Sequence, residues 1–158
     1  MEKKIFFIDF DGTLMRDDKT ISDKNREALR NAVDQGHYIA LATGRAVSSG
    51  RRIAKELGLT RPGCYLVAYN GGTIYDFSAD CILSNKRLPI EYAEYLLREA
   101  TEAGIHIQTY SDTQVLATER SKELDFYTKK TGMPCRITGN LNSMLYEEPP
   151  KMLLIDLE

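Results

Sequence analysis

The hydrophobic pattern of this chain changes character about halfway along. Residues 5–8 (IFFI) form an unbroken apolar run, the pattern of a strand covered on both faces. Residues 38–43 (YIALAT) and 64–69 (CYLVAY) repeat it. The stretches between them have helical spacing. Ser22 is a good helix N-cap, Ala28, Leu29, Ala32 and Val33 make an apolar stripe, and Gly36 is a stop. Val47, Ile53, Ala54 and Leu57 make a second stripe that ends at Gly58. Strand, helix, strand, helix, strand with short loops predicts a doubly wound, Rossmann-like parallel sheet.

Near residue 85 the texture shifts. TIYDF and DCILS read as a hairpin, and a long amphipathic helix follows Pro89, with Ile90, Ala93, Leu96, Leu97, Ala100 and Ala103 in register. IHIQTY and QVLAT read as strands, SKELDFYTKKTG as a helix and KMLLIDLE as a last strand. The expected organisation is therefore an α/β core over residues 1–84 and a separate α+β unit over 85–158.

Composition narrows the class. The 158 residues carry 21 Lys plus Arg against 23 Asp plus Glu, a formal charge of -2, which gives no electrostatic reason to expect nucleic acid or an anionic membrane. The apolar runs are far shorter than the roughly 18 residues of a membrane span. Cys64, Cys81 and Cys135 are widely spaced and lack metal-finger spacing, which fits reduced thiols in a cytoplasmic protein.

Candidate chemistry gathers where the apolar runs end. In parallel sheets, ligands bind at the carboxyl ends of the strands. Three polar clusters fall there: Asp9 to Thr13, Thr43 to Arg45, and Asn70 to Gly72. Asp9 and Asp11 project to the same side of an extended strand. Two such carboxylates repel unless a cation stabilises their charged forms. Mg²⁺ prefers hard oxygen ligands and commonly shares its site with phosphate. A carboxylate beside it can attack phosphorus while a second one moves the proton. A bare Asp-x-Asp is an ordinary turn; four apolar residues followed by Asp-Phe-Asp-Gly-Thr-Leu are far less so.

FIDFDGTL resembles the first motif of the haloacid dehalogenase-like (HAD) phosphatases, and LATGR resembles their second. The Gly-Arg after that Thr and the later YNGG are similar to the Cof-like branch, which inserts an α+β cap after the third core strand. The resemblance covers essentially the whole chain. It implies that Asp9 is the nucleophile and a Mg²⁺ ligand. Asp11 is implied as general acid and base, with its backbone carbonyl on the metal. Thr43 would hydrogen-bond the phosphoryl oxygens, Gly44 and Arg45 would line the phosphate site, and Asn70 would contact substrate. The implied substrate is a small phosphorylated metabolite.

The family also carries a third motif with a Lys and a fourth, acidic motif, both after the cap. The chain stops at EPPKMLLIDLE, which the resemblance places within the cap. Lys151, Asp156 and Glu158 lack those motif contexts. The expectation is a partial core with a partial cap and little or no activity by itself. An unpaired sheet edge would favour a homodimer. The competing readings are a non-catalytic phosphate-binding or regulatory protein of the same fold and, less well supported, a phospho-acceptor receiver-like module. The latter places its acceptor Asp after a later strand, where this chain has Thr43 and Asn70.

Overall fold

The computed structural model describes residues 2–157. The chain divides into two compact units, Met1–Asn85 and Lys86–Glu158. The first holds a mixed five-stranded sheet in the order β1-β2-β3-β4-β5. Its strands are β1 (Ile5–Asp9), β2 (Tyr38–Ala42), β3 (Cys64–Ala68), β4 (Thr73–Asp76) and β5 (Cys81–Asn85). Strands β1, β2 and β3 are parallel, with Asp9 opposite Ala42 and Ala42 opposite Val67. Strands β4 and β5 add antiparallel to that edge.

Two helices make the parallel crossovers. Helix α1 (Asp23–Asp34) is capped by Ser22, whose side chain accepts from the Asn25 N–H at 3.2 Å. Helix α2 (Val47–Leu57) ends at Gly58 in the left-handed conformation (φ 71) that terminates helices. Gly50 on α2 lies against Leu66 of β3: a Cβ built there would stand 2.5 Å from a Leu66 methyl. That face of the sheet is therefore the helix-covered one, and by alternation it carries Ile39, Leu41, Cys64 and Leu66, all buried.

The expectation of full burial fails for residues 5–8. Ile5 is 50% exposed, Phe6 39% and Phe7 66%. The cause is topological, because among the described residues β1 pairs with β2 alone and forms the edge of its sheet. Beside it an apolar groove of about 490 Å³ runs between Phe6 and Ile8 on β1 and Ala28, Leu29 and Ala32 on α1. Strand β2, in contrast, has a neighbour on each side, and Ile39, Ala40 and Leu41 are at most 2% exposed. Strand β3 alternates between buried and half-buried positions.

The second unit contains a four-stranded sheet in the order β8-β7-β6-β9. Its elements run α3 (Ile90–Glu102), β6 (His106–Tyr110), β7 (Val115–Ala117), α4 (Lys122–Thr131), β8 (Cys135–Ile137), α5 (Leu141–Met144) and β9 (Leu153–Ile155). Ala93, Leu97 and Ala100 of α3 pack with Ile107, Leu116 and Met144 as its core. Strand β8 and helix α5 were not anticipated from the pattern, since three or four residues are too few to display a period. His106 bonds through Nδ1 to Ser121 Oγ (2.9 Å) and through Nε2 to Gln108 Oε1 (3.2 Å), a structural role. Tyr92 and Tyr95 are exposed. Tyr127 bonds Tyr110 through their hydroxyls at 2.7 Å.

Candidate active site

The carboxyl ends of β1, β2 and β3 lie at one end of the sheet because the three strands are parallel. At the first of them the chain turns sharply. Phe10 is fully buried while Asp9 and Asp11 on either side of it are exposed. Burying the ring thus throws both carboxylates outward. Gly12 takes φ 76, a conformation that costs an L side chain energy and glycine little. The turn is closed by Leu14 N–H to Asp9 C=O (3.1 Å) and Met15 N–H to Phe10 C=O (2.8 Å), and it buries Leu14 and Met15.

The second strand end places Thr43. Its N–H donates to Val67 C=O (2.9 Å) and its carbonyl accepts from Asn70 N–H (3.1 Å), so the loops after β2 and β3 are tied together. Thr43 Oγ1 accepts from Arg45 N–H at 3.1 Å, leaving its own O–H to donate. At the third strand end Tyr69, Asn70 and Gly71 all have positive φ (50, 58 and 100). An Asn-Gly pair suits such a turn, because both residues tolerate the left-handed region.

Asp9, Thr43, Gly44, Asn70 and Gly71 line one open cavity of about 310 Å³. Four of the six sequence-predicted site residues therefore meet there. The other two, Asp11 and Arg45, pair with each other and are not among its walls. Arg45 Nε and Nη2 donate to the two carboxylate oxygens of Asp11 at 2.9 and 2.6 Å, a bidentate arrangement. Lys19 adds a third contact at 3.2 Å. The Arg45 guanidinium beside Asp11 holds its carboxyl below the usual carboxylate range, against the opposing effect of partial burial, and Lys19 pulls the same way.

Lys19 was missed by sequence reasoning. It sits in the polar stretch after Gly12, whose tight turn is set by Asp18 accepting from Thr20 N–H (2.9 Å) and Thr20 Oγ1 (2.6 Å). The available signal was a cation inside a flap adjoining two carboxylates. Among the described residues no three His, Cys, Asp or Glu side chains cluster as a metal cage. Mg²⁺ does not require one, since it takes one or two carboxylates plus waters and phosphate oxygens. The exposed Asp9 and Asp11 supply that donor chemistry, although the Asp11 carboxylate is already shared with two cations.

A family model of haloacid dehalogenase-like hydrolases matches residues 6–157. The chain belongs to that family.

Among curated HAD-like relatives, a 5-amino-6-(5-phospho-D-ribitylamino)uracil phosphatase of Bacillus subtilis is 33% identical over 117 residues. The match covers 72% of this chain and 38% of that protein. A pyridoxal phosphate phosphatase of Escherichia coli is 30% identical over 112 residues, covering 71% of this chain and 40% of its own length. A haloacid dehalogenase-like hydrolase from Bacteroides thetaiotaomicron superposes with a TM-score of 0.86 at 26% identity. That superposition covers 98% of this chain and 59% of the other. The chain thus spans about two fifths of the length of these two curated relatives.

Lys151, Asp156 and Glu158, the other charged residues weighed from the sequence, follow Asn85 in the chain. Lys151 belongs to the second unit, where burial lowers its amine below the usual range. Asp156 follows β9, and Glu158 lies outside the described residues. All three cysteines are free, with Cys64 buried and Cys81 exposed. Among the described residues no helix is long and apolar enough to cross a membrane.

Proposed function

We propose that this chain carries the phosphoryl-transfer end of a Mg²⁺-dependent phosphatase for small phosphorylated metabolites. The first unit is then the catalytic core and the second belongs to the substrate-selecting cap, in the cytoplasm. The observation that carries the reading is the meeting of Asp9, Thr43, Gly44 and Asn70, from three strand ends, around one cavity. Family membership and phosphatase relatives support it.

In this reading an Asp9 carboxylate oxygen attacks phosphorus, the ester P–O bond breaks, and the leaving oxygen takes the proton of Asp11. Water then attacks the acyl phosphate with Asp11 as base, releasing phosphate and restoring Asp9. Thr43 O–H and the backbone around Gly44 hold the phosphoryl oxygens, as suits a reaction dominated by positioning and charge neutralisation. Asn70 contacts substrate. Asp9 and Asp11 would hold Mg²⁺, which would supply charge neutralisation on the phosphoryl group. Arg45 keeps Asp11 ionised, which suits the base role. The acid role requires a proton that this pair opposes, and a bound phosphate competing for Arg45 would release it.

The test is release of phenolate from p-nitrophenyl phosphate with Mg²⁺, together with phosphate-ester binding. These 158 residues are expected to release it slowly. Asp9→Asn lowers the rate about a thousandfold or more. Equal rates in wild type and Asp9→Asn would overturn the assignment of the nucleophile. Binding with no Asp9-dependent release would favour the non-catalytic phosphate-binding reading.

A further inference from the structure

A second charged cavity lies at the opposite end of the first unit. Strand β4 runs antiparallel to β3, with Asp76 opposite Tyr65 and the Phe77 N–H donating to Cys64 C=O at 3.3 Å. The β4–β5 turn therefore stands where the parallel strands begin. Asp9, Thr43 and Asn70 stand where they finish. Helix α2 runs back toward the same starting end, so its second half faces this turn. Between them is a cavity of about 450 Å³, with Arg51, Arg52, Lys55 and Thr60 on the α2 side and Tyr75, Phe77 and Asp80 on the hairpin side.

The charges there are unbalanced. Arg51 Nη2 meets Asp80 Oδ1 at 2.6 Å, and the Tyr75 hydroxyl donates to the same oxygen. Arg52 and Lys55 have no ion-pair partner among the described residues, and the Arg52–Glu56 pairing that their spacing allows is not formed. Three cations thus crowd within five residues of one helix against a single carboxylate. Like charges four apart, as Arg51 and Lys55 are, work against a helix. An anion entering the cavity would relieve that repulsion.

Asp80 indicates how such an anion sits. Its backbone is in the left-handed region (φ 52) on an exposed turn, and its carboxylate oxygen is held by a guanidinium and a phenol together. A phosphate oxygen satisfies the same two donors. Tyr75 and Phe77 are nearly buried, so the wall behind the cations is apolar and strengthens their field. Burial and the bond to Asp80 push the Tyr75 phenol up to about 12, so it remains a donor at neutral pH. The Arg51 guanidinium stacks over the Tyr75 ring, 5.1 Å from its centroid, so that ring offers no free face to a base.

We propose that this cavity is a second anion site, which binds the diphosphate or triphosphate group of a small metabolite with its organic part directed to solvent. The space exceeds what one phosphate fills, and three cations match several phosphoryl charges. This site does not depend on the reading of the catalytic end.

Pyrophosphate and inorganic phosphate, titrated calorimetrically into the 158-residue chain without Mg²⁺, are suitable probes. Pyrophosphate should bind one to one, about tenfold or more tighter than phosphate. Arg52→Glu with Lys55→Glu should weaken it about tenfold or more, and Asp80→Asn, which removes the competing carboxylate, should tighten it severalfold. Arg45→Ala, at the other end of the sheet, should leave it unchanged. In the wild type, amide resonances of residues 51–60 and 77–80 should shift on titration, which removes any dependence on a variant's folding. The absence of millimolar binding, insensitivity to the double substitution, or loss of binding in Arg45→Ala would each overturn the proposal.

Discussion

Gly50→Ala sets two effects of opposite sign against each other in α2, the helix that follows Arg45. Alanine in place of glycine inside a helix ordinarily stabilises it by about 1 kcal/mol. Here the new Cβ would lie 2.5 and 2.6 Å from the two Leu66 methyls and 3.1 Å from Leu66 Cγ. Leu66 is fully buried beneath α2, together with Ile53, Ala54 and Leu57, so it cannot swing into solvent. Either the side chain leaves its rotamer or α2 lifts by about 1 Å to restore normal contact distances of ~3.5–4.0 Å. Overpacking of this kind costs about 1–3 kcal/mol. The net is a loss of about 0–2 kcal/mol. The first unit should be followed through hydrogen exchange of the β3 amides, which report it separately from the second unit. Leu66→Ala decides the cause. It costs about 2–5 kcal/mol by itself, but with the methyls gone Gly50→Ala should change from harmful to helpful by up to about 1 kcal/mol. If Gly50→Ala stabilises the wild type, or if its penalty survives in the Leu66→Ala background, the close approach of α2 to β3 is not what selects glycine.

Three further outcomes are expected. Arg45→Ala removes the principal group holding the Asp11 carboxyl below its ordinary 3.8. Its stability loss, at most about 1 kcal/mol because Asp11 is nearly half exposed, should be full above pH 3.8 and shrink as pH falls through the lower folded-state value; a loss that persists in strong acid would refute the ion-pair account. Ser121→Ala should destabilise α4 by about 1 kcal/mol, because Ser121 Oγ accepts from the Leu124 N–H at 3.1 Å. Ser121→Asp should restore most of it in the amide exchange of α4. Phe7→Glu, on an edge strand position 66% exposed, should reduce self-association in sedimentation velocity. Association equal to wild type would remove β1 as the surface that pairs.

Hydrophobic periodicity located the elements well where an element was long enough to show a period. The stripes of α1, α2 and α3 and the apolar runs of β1, β2 and β3 were legible because each reports one chain segment against an apolar environment. What a run does not report is which neighbours it has. Residues 5–8 carry the pattern of a central strand, and in this chain they form an edge with Phe7 in solvent. Composition specifies that a surface is fit to be covered; topology decides whether it is. Strand β8, only three residues long, is defined instead by its parallel partner β7, a contact between segments about twenty residues apart that no local window contains.

The site divides along the same line. Asp9, Thr43, Gly44 and Asn70 could be assigned to one place because each stands at a strand end, and parallel strands bring their ends together whatever the side chains do. Arg45 also stands at a strand end, yet it is not among that cavity's walls. It takes the two oxygens of Asp11. A backbone position follows from the fold, while a long side chain's partner follows from the strongest opposite charge within its reach. Asp11 is exposed and placed beside Arg45 by the burial of Phe10, so it takes that partner. The same competition bears on function. Under the proposed function, a phosphate bound near Thr43 would contend with Asp11 for Arg45, and the charge on Asp11 would then depend on whether the cavity is filled.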